Sequence, residues 1–240
     1  MQRAEIGRQN TSLQELLTNK DNLLREKEWL WMELNHRVKN NLQIIITLLD
    51  AQASYIQSQE GLMVVQNSKN RVFALSLLHE RLYQFDKFNP IDMSVYIHEL
   101  IAYLLASFGI GKRILVRLNL ESIKLDVSQA LPLGLIINEA VTNSFKYAFP
   151  ENMPGDIQIT MAEGEAGKIS ITITDNGVGL PADFDMNGRA LHGLAVINGL
   201  CGDLNADFKM EGKDGTTISI DFVKTEVSAA FFSASPIKAM

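Results

Sequence analysis

Apolar residues recur at steps of three and four through the first part of the chain: Trp31, Leu34, Val38, Leu42, Ile45, Leu49, Ala53 and Ile56. That spacing marks one face of an α-helix. Upstream, Leu16, Leu23 and Leu30 follow a heptad step, a short coiled-coil pattern with Lys20 and Lys27 at the complementary positions. Nothing breaks the pattern between the two stretches. It therefore predicts one helix over about residues 12–58, long enough to need a partner along its length. Glu60-Gly61 interrupts the pattern, and Leu62, Val65, Val72, Leu75, Leu78, Leu82 and Phe85 then predict a second helix. Two helices joined by a short turn form an antiparallel hairpin. Ile44, Ile46 and Leu48 on the first and Phe73 and Leu77 on the second are left over. Dimerisation into a four-helix bundle would bury them, and so would contact with the C-terminal half; the dimer is the favoured expectation.

Phe88-Asn89-Pro90 reads as a linker, and the pattern changes after it. Residues 93–108 predict an amphipathic helix closed by Gly109 and Gly111. Residues 113–119 alternate as a strand, and residues 128–149 predict a helix with Ser128 as N-cap and Pro132 near its first turn. Residues 156–162 and 168–174 read as a hairpin, residues 176–191 as a loop, and residues 192–201 as a short helix. Residues 205–210 and 216–223 close the pattern as a second hairpin. The expected division is an N-terminal helix or coiled coil (1–30), a dimerisation hairpin (31–88), an α+β domain of antiparallel strands with helices on one face (91–223), and a tail (224–240).

Composition narrows the classes. A net charge of −6 leaves no basic excess for a nucleic-acid surface. The single cysteine, Cys201, excludes an intrachain disulfide and a cysteine-built metal site, and fits a reducing, cytoplasmic setting. No apolar run reaches the length of a membrane span, and residues 1–10 lack the apolar core of a secretion signal.

Four stretches carry candidate chemistry. His36 lies two residues from both Leu34 and Val38. At roughly 100° per residue it projects away from the apolar stripe. A solvated imidazole on a rigid helix, between Arg37 and Lys39, is a possible nucleophile toward phosphorus. Taken alone, an exposed histidine more often does nothing. Glu139, Asn143, Lys146 and Tyr147 share one face of a helix at i, i+4, i+7 and i+8. A carboxylate and an amide oxygen one turn apart suit an oxygen-liganded Mg²⁺ that takes its other ligands from phosphates and water; each residue singly also fits a solvated helix face. Asp175-Asn176-Gly177-Val178-Gly179 follows a strand, where glycines admit a ligand close to the backbone, but it is also an ordinary turn sequence. Gly188-Arg189-Ala190-Leu191-His192-Gly193-Leu194 opens a helix whose free amides suit an anion, or simply start the helix.

In this order, the last three stretches resemble the N box and the two glycine boxes of the Bergerat-fold ATPases, the superfamily of gyrase, the ninety-kilodalton chaperones, mismatch-repair ATPases and histidine kinases. Leu34-Asn35-His36-Arg37-Val38-Lys39-Asn40-Asn41-Leu42, with Asn70-Arg71-Val72 and Leu78-His79-Glu80, resembles the phosphoacceptor region of the HisKA_2 sensor kinases. The resemblance implies a helical hairpin followed by an α+β Bergerat-type ATP-binding sandwich. It implies an autophosphorylating histidine kinase that passes phosphate to an aspartate of a response-regulator receiver domain, with ATP and Mg²⁺ as cofactors. His36 would be the phosphoacceptor, Asn143 the Mg²⁺ ligand, and Glu139 the group that orients water or metal. Lys146 would touch phosphate, Tyr147 border the nucleotide, and Asp175 read the adenine amine. Gly177, Gly179, Leu191, His192, Gly193, Leu194 and Thr216 would complete the nucleotide site. A homodimer, and an upstream sensor domain outside this chain, would follow. Arg37 stands where better-known kinases carry an acidic residue, and the lid has a single glycine. A phosphotransfer scaffold without ATP, a clamp ATPase and an anti-sigma-type serine kinase are the alternatives.

Overall fold

A computed structural model describes residues 2–83, 90–109, 113–150, 153–181 and 192–225. Phe85, the linker residues Phe88 and Asn89, Gly111, the lid residues 182–191 and residues 226–240 lie outside the described residues.

Helix α1 spans Gln2–Ala53 and α2 spans Gln59–Tyr83. The hairpin turns at residues 54–58, earlier than Glu60-Gly61. Gly61 is inside α2, where its amide donates to Ser58 Oγ at 3.1 Å. A side chain there would crowd Ile56 Cγ2, so the glycine lets Ile56 fold back over the first turn rather than breaking the helix. Across the hairpin, Lys39 pairs with Glu80 and Lys69 with Asp50. Val38, Leu42 and Leu49 face α2 half-buried, whereas Ile44 and Leu48 are exposed.

The C-terminal part runs β1 (Ile91–Asp92), α3 (Met93–Ser107), β2 (Ile114–Leu120), β3 (Lys124–Leu125), α4 (Val127–Asn143), a π turn (Ser144–Ala148), β4 (Gly155–Glu163), β5 (Lys168–Asp175), α5 (His192–Asp203), β6 (Asp207–Glu211) and β7 (Thr217–Val223). The five-stranded sheet has the order β2-β4-β5-β7-β6. The β2–β4 pair is parallel and the other pairs are antiparallel, so the all-antiparallel expectation fails at one pair. The reason is that α4 carries the chain from β3 back along the sheet before β4 begins. The two-residue strands β1 and β3, too short to show a pattern, pair with each other. Asp92 caps α3 by accepting from the Ser94 and Val95 amides. Asp126, not Ser128, caps α4, because its carboxylate accepts from the Ser128 amide at 2.9 Å.

Alternation in the strands supplies one wall of the core. Ile157, Ile159 and Met161 of β4, Ile169, Ile171 and Ile173 of β5, and Ile218, Ile220 and Phe222 of β7 all point inward. The opposite wall is Ile97, Leu100 and Leu104 of α3, Ile136, Ile137, Ala140 and Val141 of α4, and Ile197 and Cys201 of α5. Ala74 and Leu78 of α2 belong to the same buried cluster. Phe73 stacks on Tyr103, Leu77 packs on the cluster, and Arg81 pairs with Glu99. Within one chain, then, the spare face of α2 is covered by the C-terminal half, whereas on α1 Ile44 and Leu48 stay exposed and Ile46 is half-buried. At the other end, Lys224 and Thr225, placed in the tail by the sequence, are held by Gly167 and Gln129.

Gly134 is where Tyr96 crosses α4: a Cβ there would sit 2.6 Å from the Tyr96 hydroxyl. Gly134→Ala overpacks this crossing and is expected to lower stability by about 1–3 kcal/mol in denaturant unfolding. An unchanged midpoint would mean that the Tyr96 ring swings aside without cost.

Candidate functional site

The site is built at the C-terminal end of α4. The apolar stripe of this helix lies against the sheet, which turns its polar residues toward α2 and α5. Glu139 is 4% exposed. A carboxylate so placed needs donors, and Arg71 of α2 supplies two: its Nε donates to Oε1 and its Nη2 to Oε2, both at 2.7 Å. Asn138 Nδ2 donates to Oε1 at 3.2 Å. The Arg71 guanidinium is pushed above its ordinary value, chiefly by the Glu139 hydrogen bond.

One turn on, Asn143 is half-buried beside the start of α5. A Cβ on Gly193 would lie 3.4 Å from Glu139 Oε2 and 3.5–3.6 Å from the Asn143 amide atoms. Gly193 therefore brings the α5 backbone against both N-box side chains, joining two stretches fifty residues apart in sequence. Leu194 points the other way, into the core.

After Asn143 the helix widens into the π turn. Such single π turns are frequent at functional sites. The even spacing that put four residues on one face ends there. Lys146 turns to α2, where its Nζ donates to Asn67 Oδ1. Burial pushes the Lys146 ammonium below its ordinary value, against the opposing charge of Glu139. Tyr147 is 68% exposed. Ser144 is turned inward, and its Oγ donates to Asp175 Oδ2 at 2.7 Å.

Asp175 continues the inward register of Ile169, Ile171 and Ile173 and is 3% exposed. A carboxylate stands where the alternation calls for an apolar side chain. Its Oδ1 accepts from the amides of Gly177 and Thr216 at 3.1 and 3.0 Å. A side chain on Gly177 would run into the Ala148 carbonyl, and the Val178 amide donates to that same carbonyl at 2.9 Å. Gly179 adopts φ +73°, the left-handed region. Among the residues expected at the site, Glu139, Asn143, Lys146, Asp175, Gly177, Gly193 and Thr216 are thus tied together around one end of α4. Leu191 and the side chain of His192 lie outside the described residues.

His36 stands apart, exposed on α1. Its neighbours are engaged: Arg37 pairs with Glu33 at 2.7 Å and Lys39 with Glu80 at 2.7 Å. Lys39–Glu80 fixes the register of the hairpin, and Arg71 lies nine residues from Glu80 along α2. With a rise of 1.5 Å per residue, His36 and Arg71 are separated by about 18 Å along the hairpin axis.

Three residues were missed by sequence reasoning as members of this site. Ser144 is five residues past Glu139, off the regular helical face, and only the π turn brings it to Asp175. Asn67 and Arg71 are on the other side of the linker. Arg71 stood in the Asn70-Arg71-Val72 stretch that carries the resemblance but was given no role at this site, and Asn67 lies one helical turn before it. Among the described residues there is no cluster of three or more His, Cys, Asp or Glu side chains for a metal, and no helix is long and apolar enough to cross a membrane.

Comparison with known proteins matches this architecture. Residues 33–108 match the HisKA_2 model, described as histidine kinase, and residues 128–226 match the model of the histidine kinase-, DNA gyrase B-, and HSP90-like ATPases. Blue-light-activated histidine kinase 2 of Erythrobacter litoralis is 27% identical over 198 residues, covering 79% of this chain and 55% of that protein. The sensor histidine kinase PdtaS of Mycobacterium tuberculosis is 30% identical over 186 residues, covering 75% of this chain and 36% of that protein. The chain thus spans about half of one relative and about a third of the other. The solved histidine kinase domain of the blue-light-activated kinase EL346 from Erythrobacter litoralis superposes with a TM-score of 0.61 at 22% identity, over 75% of this chain and 95% of that one. With its helical hairpin under one model and its α4-centred sheet domain under the other, the chain belongs to the HisKA_2-type histidine kinases.

Proposed function

We propose that this chain is the core of an autophosphorylating sensor histidine kinase, which transfers the γ-phosphoryl of ATP to His36 and then to an aspartate of a response-regulator receiver domain. The observation that carries the reading is the gathering of Glu139, Asn143 and the Gly193 backbone at one end of α4, with the Asp175 carboxylate locked in place beside it. This is a set of groups for a polyphosphate and a purine, built on rigid elements.

The roles follow from chemistry. Asp175 accepts from an exocyclic amine, and its three donors hold it aimed. Tyr147, exposed, borders the base. The α5 amides at Gly193 and Leu194, together with Lys146, meet the phosphates. Glu139 and Asn143 supply oxygen donors of the kind Mg²⁺ takes, and that ion, when bound, would neutralise charge on the transferred group. An unprotonated ring nitrogen of His36 attacks the γ-phosphorus. The N–P bond forms as the bond to the β–γ bridging oxygen breaks, and ADP leaves with the electron pair. The offset between His36 and the N box requires the ATP domain to move before this attack, as a gating step. The spare face of α1 (Ile44, Leu48) is the surface through which a second copy would complete a four-helix bundle. An upstream sensor domain would act through the N-terminal turns of α1. The division into hairpin and ATP domain near residues 88–91 is part of the same reading.

Incubation with γ-labelled ATP and Mg²⁺ is expected to give an acid-labile, base-stable label that His36→Ala abolishes; a label that survives this change would overturn the assignment. Asn143→Ala is expected to lose Mg²⁺-dependent nucleotide binding, read by calorimetric titration with a non-hydrolysable analogue. Ser144→Ala strips one donor from a buried carboxylate. It is expected to cost about 1–3 kcal/mol in stability and to weaken adenine nucleotides more than inorganic triphosphate; equal weakening of both would show that Asp175 does not read the base.

A further inference from the structure

Helix α1 carries His36 on a side that neither of its packing surfaces uses. Steps of three and four from His36 reach Met32, Trp29, Arg25 and Asn22 upstream, and Asn40 and Gln43 downstream. Such steps keep to one side of a helix. From Asn22 to Gln43 this side is polar except at Trp29 and Met32, which are 63% and 54% exposed. At roughly 100° per residue, both lie within about 40° of His36. Their midpoint is about 110° from Leu42, which faces α2, and about 110° the other way from the midpoint of Ile44 and Leu48.

Position along the axis also separates the pair from the ATP domain. Lys39 pairs with Glu80, so the antiparallel register sets Tyr83 of α2 level with His36. Met32 and Trp29 lie about 6 and 10 Å beyond that level, toward the N-terminus. Arg71, which holds the ATP domain through Glu139, lies about 18 Å from His36 in the opposite direction.

We propose that Trp29 and Met32 are the apolar anchor on which the receiver domain docks, on the N-terminal side of His36. The proposal rests on the reading of His36 as acceptor and of a receiver domain as partner. A receiver must cover His36 to take its phosphoryl group. A standard interface spans about 800 Å² per partner, a patch roughly 30 Å across, so a footprint over His36 takes in both side chains. A tryptophan in a polar surround is the kind of residue that carries binding energy at the centre of an interface. The other occupants are placed elsewhere: a second copy seats on Ile44 and Leu48, and the ATP domain is held on the C-terminal side of His36. In the docked complex a carboxylate oxygen of the receiver attacks the phosphorus of phospho-His36. An O–P bond forms, the N–P bond breaks, and the ring nitrogen keeps the electron pair. Since the anchor and Arg71 lie on opposite sides of His36, transfer proceeds with the ATP domain still docked on α2.

The test uses the whole chain and one probe, the receiver domain that takes label fastest from the parent among a panel of purified receiver domains. The double variant Trp29→Gln, Met32→Gln removes the anchor and keeps good helix formers. Its circular dichroism, its mass in sedimentation and its rate of His36 labelling from γ-labelled ATP are expected to match the parent. Transfer to the receiver is expected to fall at least ten-fold in kcat/KM, carried by KM, and the conservative pair Trp29→Phe, Met32→Leu is expected to restore most of it. Trp31→Phe leaves Trp29 as the single tryptophan. Its emission is expected to move to shorter wavelength on titration with a tryptophan-free form of the same receiver. Parental transfer by the glutamine pair, or an emission unmoved at saturating receiver, would overturn the anchor. Slower His36 labelling in the glutamine pair would give the surface to the ATP domain, and an altered mass would give it to a second copy; either result also overturns the proposal. A parent that labels His36 but passes label to no receiver removes the phosphotransfer reading and the anchor with it, which is distinct from a parent that transfers at the same rate with and without the two side chains.

Discussion

A buried carboxylate must be answered by a cation or by several donors, and Glu139 is answered from across the molecule. Its partner, Arg71, sits on the helical hairpin, and the pair is bidentate, the geometry that matches a guanidinium to a carboxylate. Removing one member of a buried pair costs on the order of 3–5 kcal/mol. That figure is an upper bound here, because the Arg71 side chain keeps about a third of its surface in water, at 35% exposure. The consequence is topological as much as energetic. The hairpin and the α+β part share one buried cluster through Ala74 and Leu78, and polar contacts that include Arg71–Glu139, Asn67–Lys146, Gln66–Ser107 and Arg81–Glu99. Two of these polar contacts fall on residues of the candidate site, Glu139 and Lys146.

The same logic shapes the inner end of the site. Strand β5 alternates inward three isoleucines and then an aspartate, so the sheet register forces Asp175 into a position from which water is excluded. Two backbone amides and one hydroxyl make that position tenable. The hydroxyl is available only because the helix widens by one residue per turn after Asn143, and the amides are available only because Gly177 carries no side chain to strike the Ala148 carbonyl. A strand register, a π turn and a glycine therefore serve a single carboxylate. A group with this many fixed partners is preorganised, as recognition of one particular ligand edge demands.

The membership in the HisKA_2-type histidine kinases gives these contacts their meaning. In this conformation His36 and Arg71, the partner of the N-box residue Glu139, are about 18 Å apart along the hairpin axis, and Glu139 and Lys146 are held by Arg71 and Asn67. The α1 helix, by contrast, is open. His36 is in solvent, and Ile44 and Leu48 are uncovered.

The amino-acid sequence determined a good deal by itself. Steps of three and four fixed both long helices, and strict alternation fixed the strands of the sheet, because each periodicity states which face is buried irrespective of the partner. His36, Asn143, Asp175 and Gly193 were singled out on other grounds, by residue type and by the resemblance of their stretches to known motifs, since each alone also fits the ordinary pattern of its stretch. Boundaries set by caps were misplaced, as at Asp126 and Gly61, because a cap depends on which side chain reaches which amide. The parallel β2–β4 pair and the two-residue strands left no periodic trace. What tertiary structure alone decided was which polar faces meet. Arg71 with Glu139, Asn67 with Lys146 and Ser144 with Asp175 join residues whose spacing along the chain carries no information about their separation in space, since long-range pairing is set by how whole helices dock and not by the local period that either helix obeys.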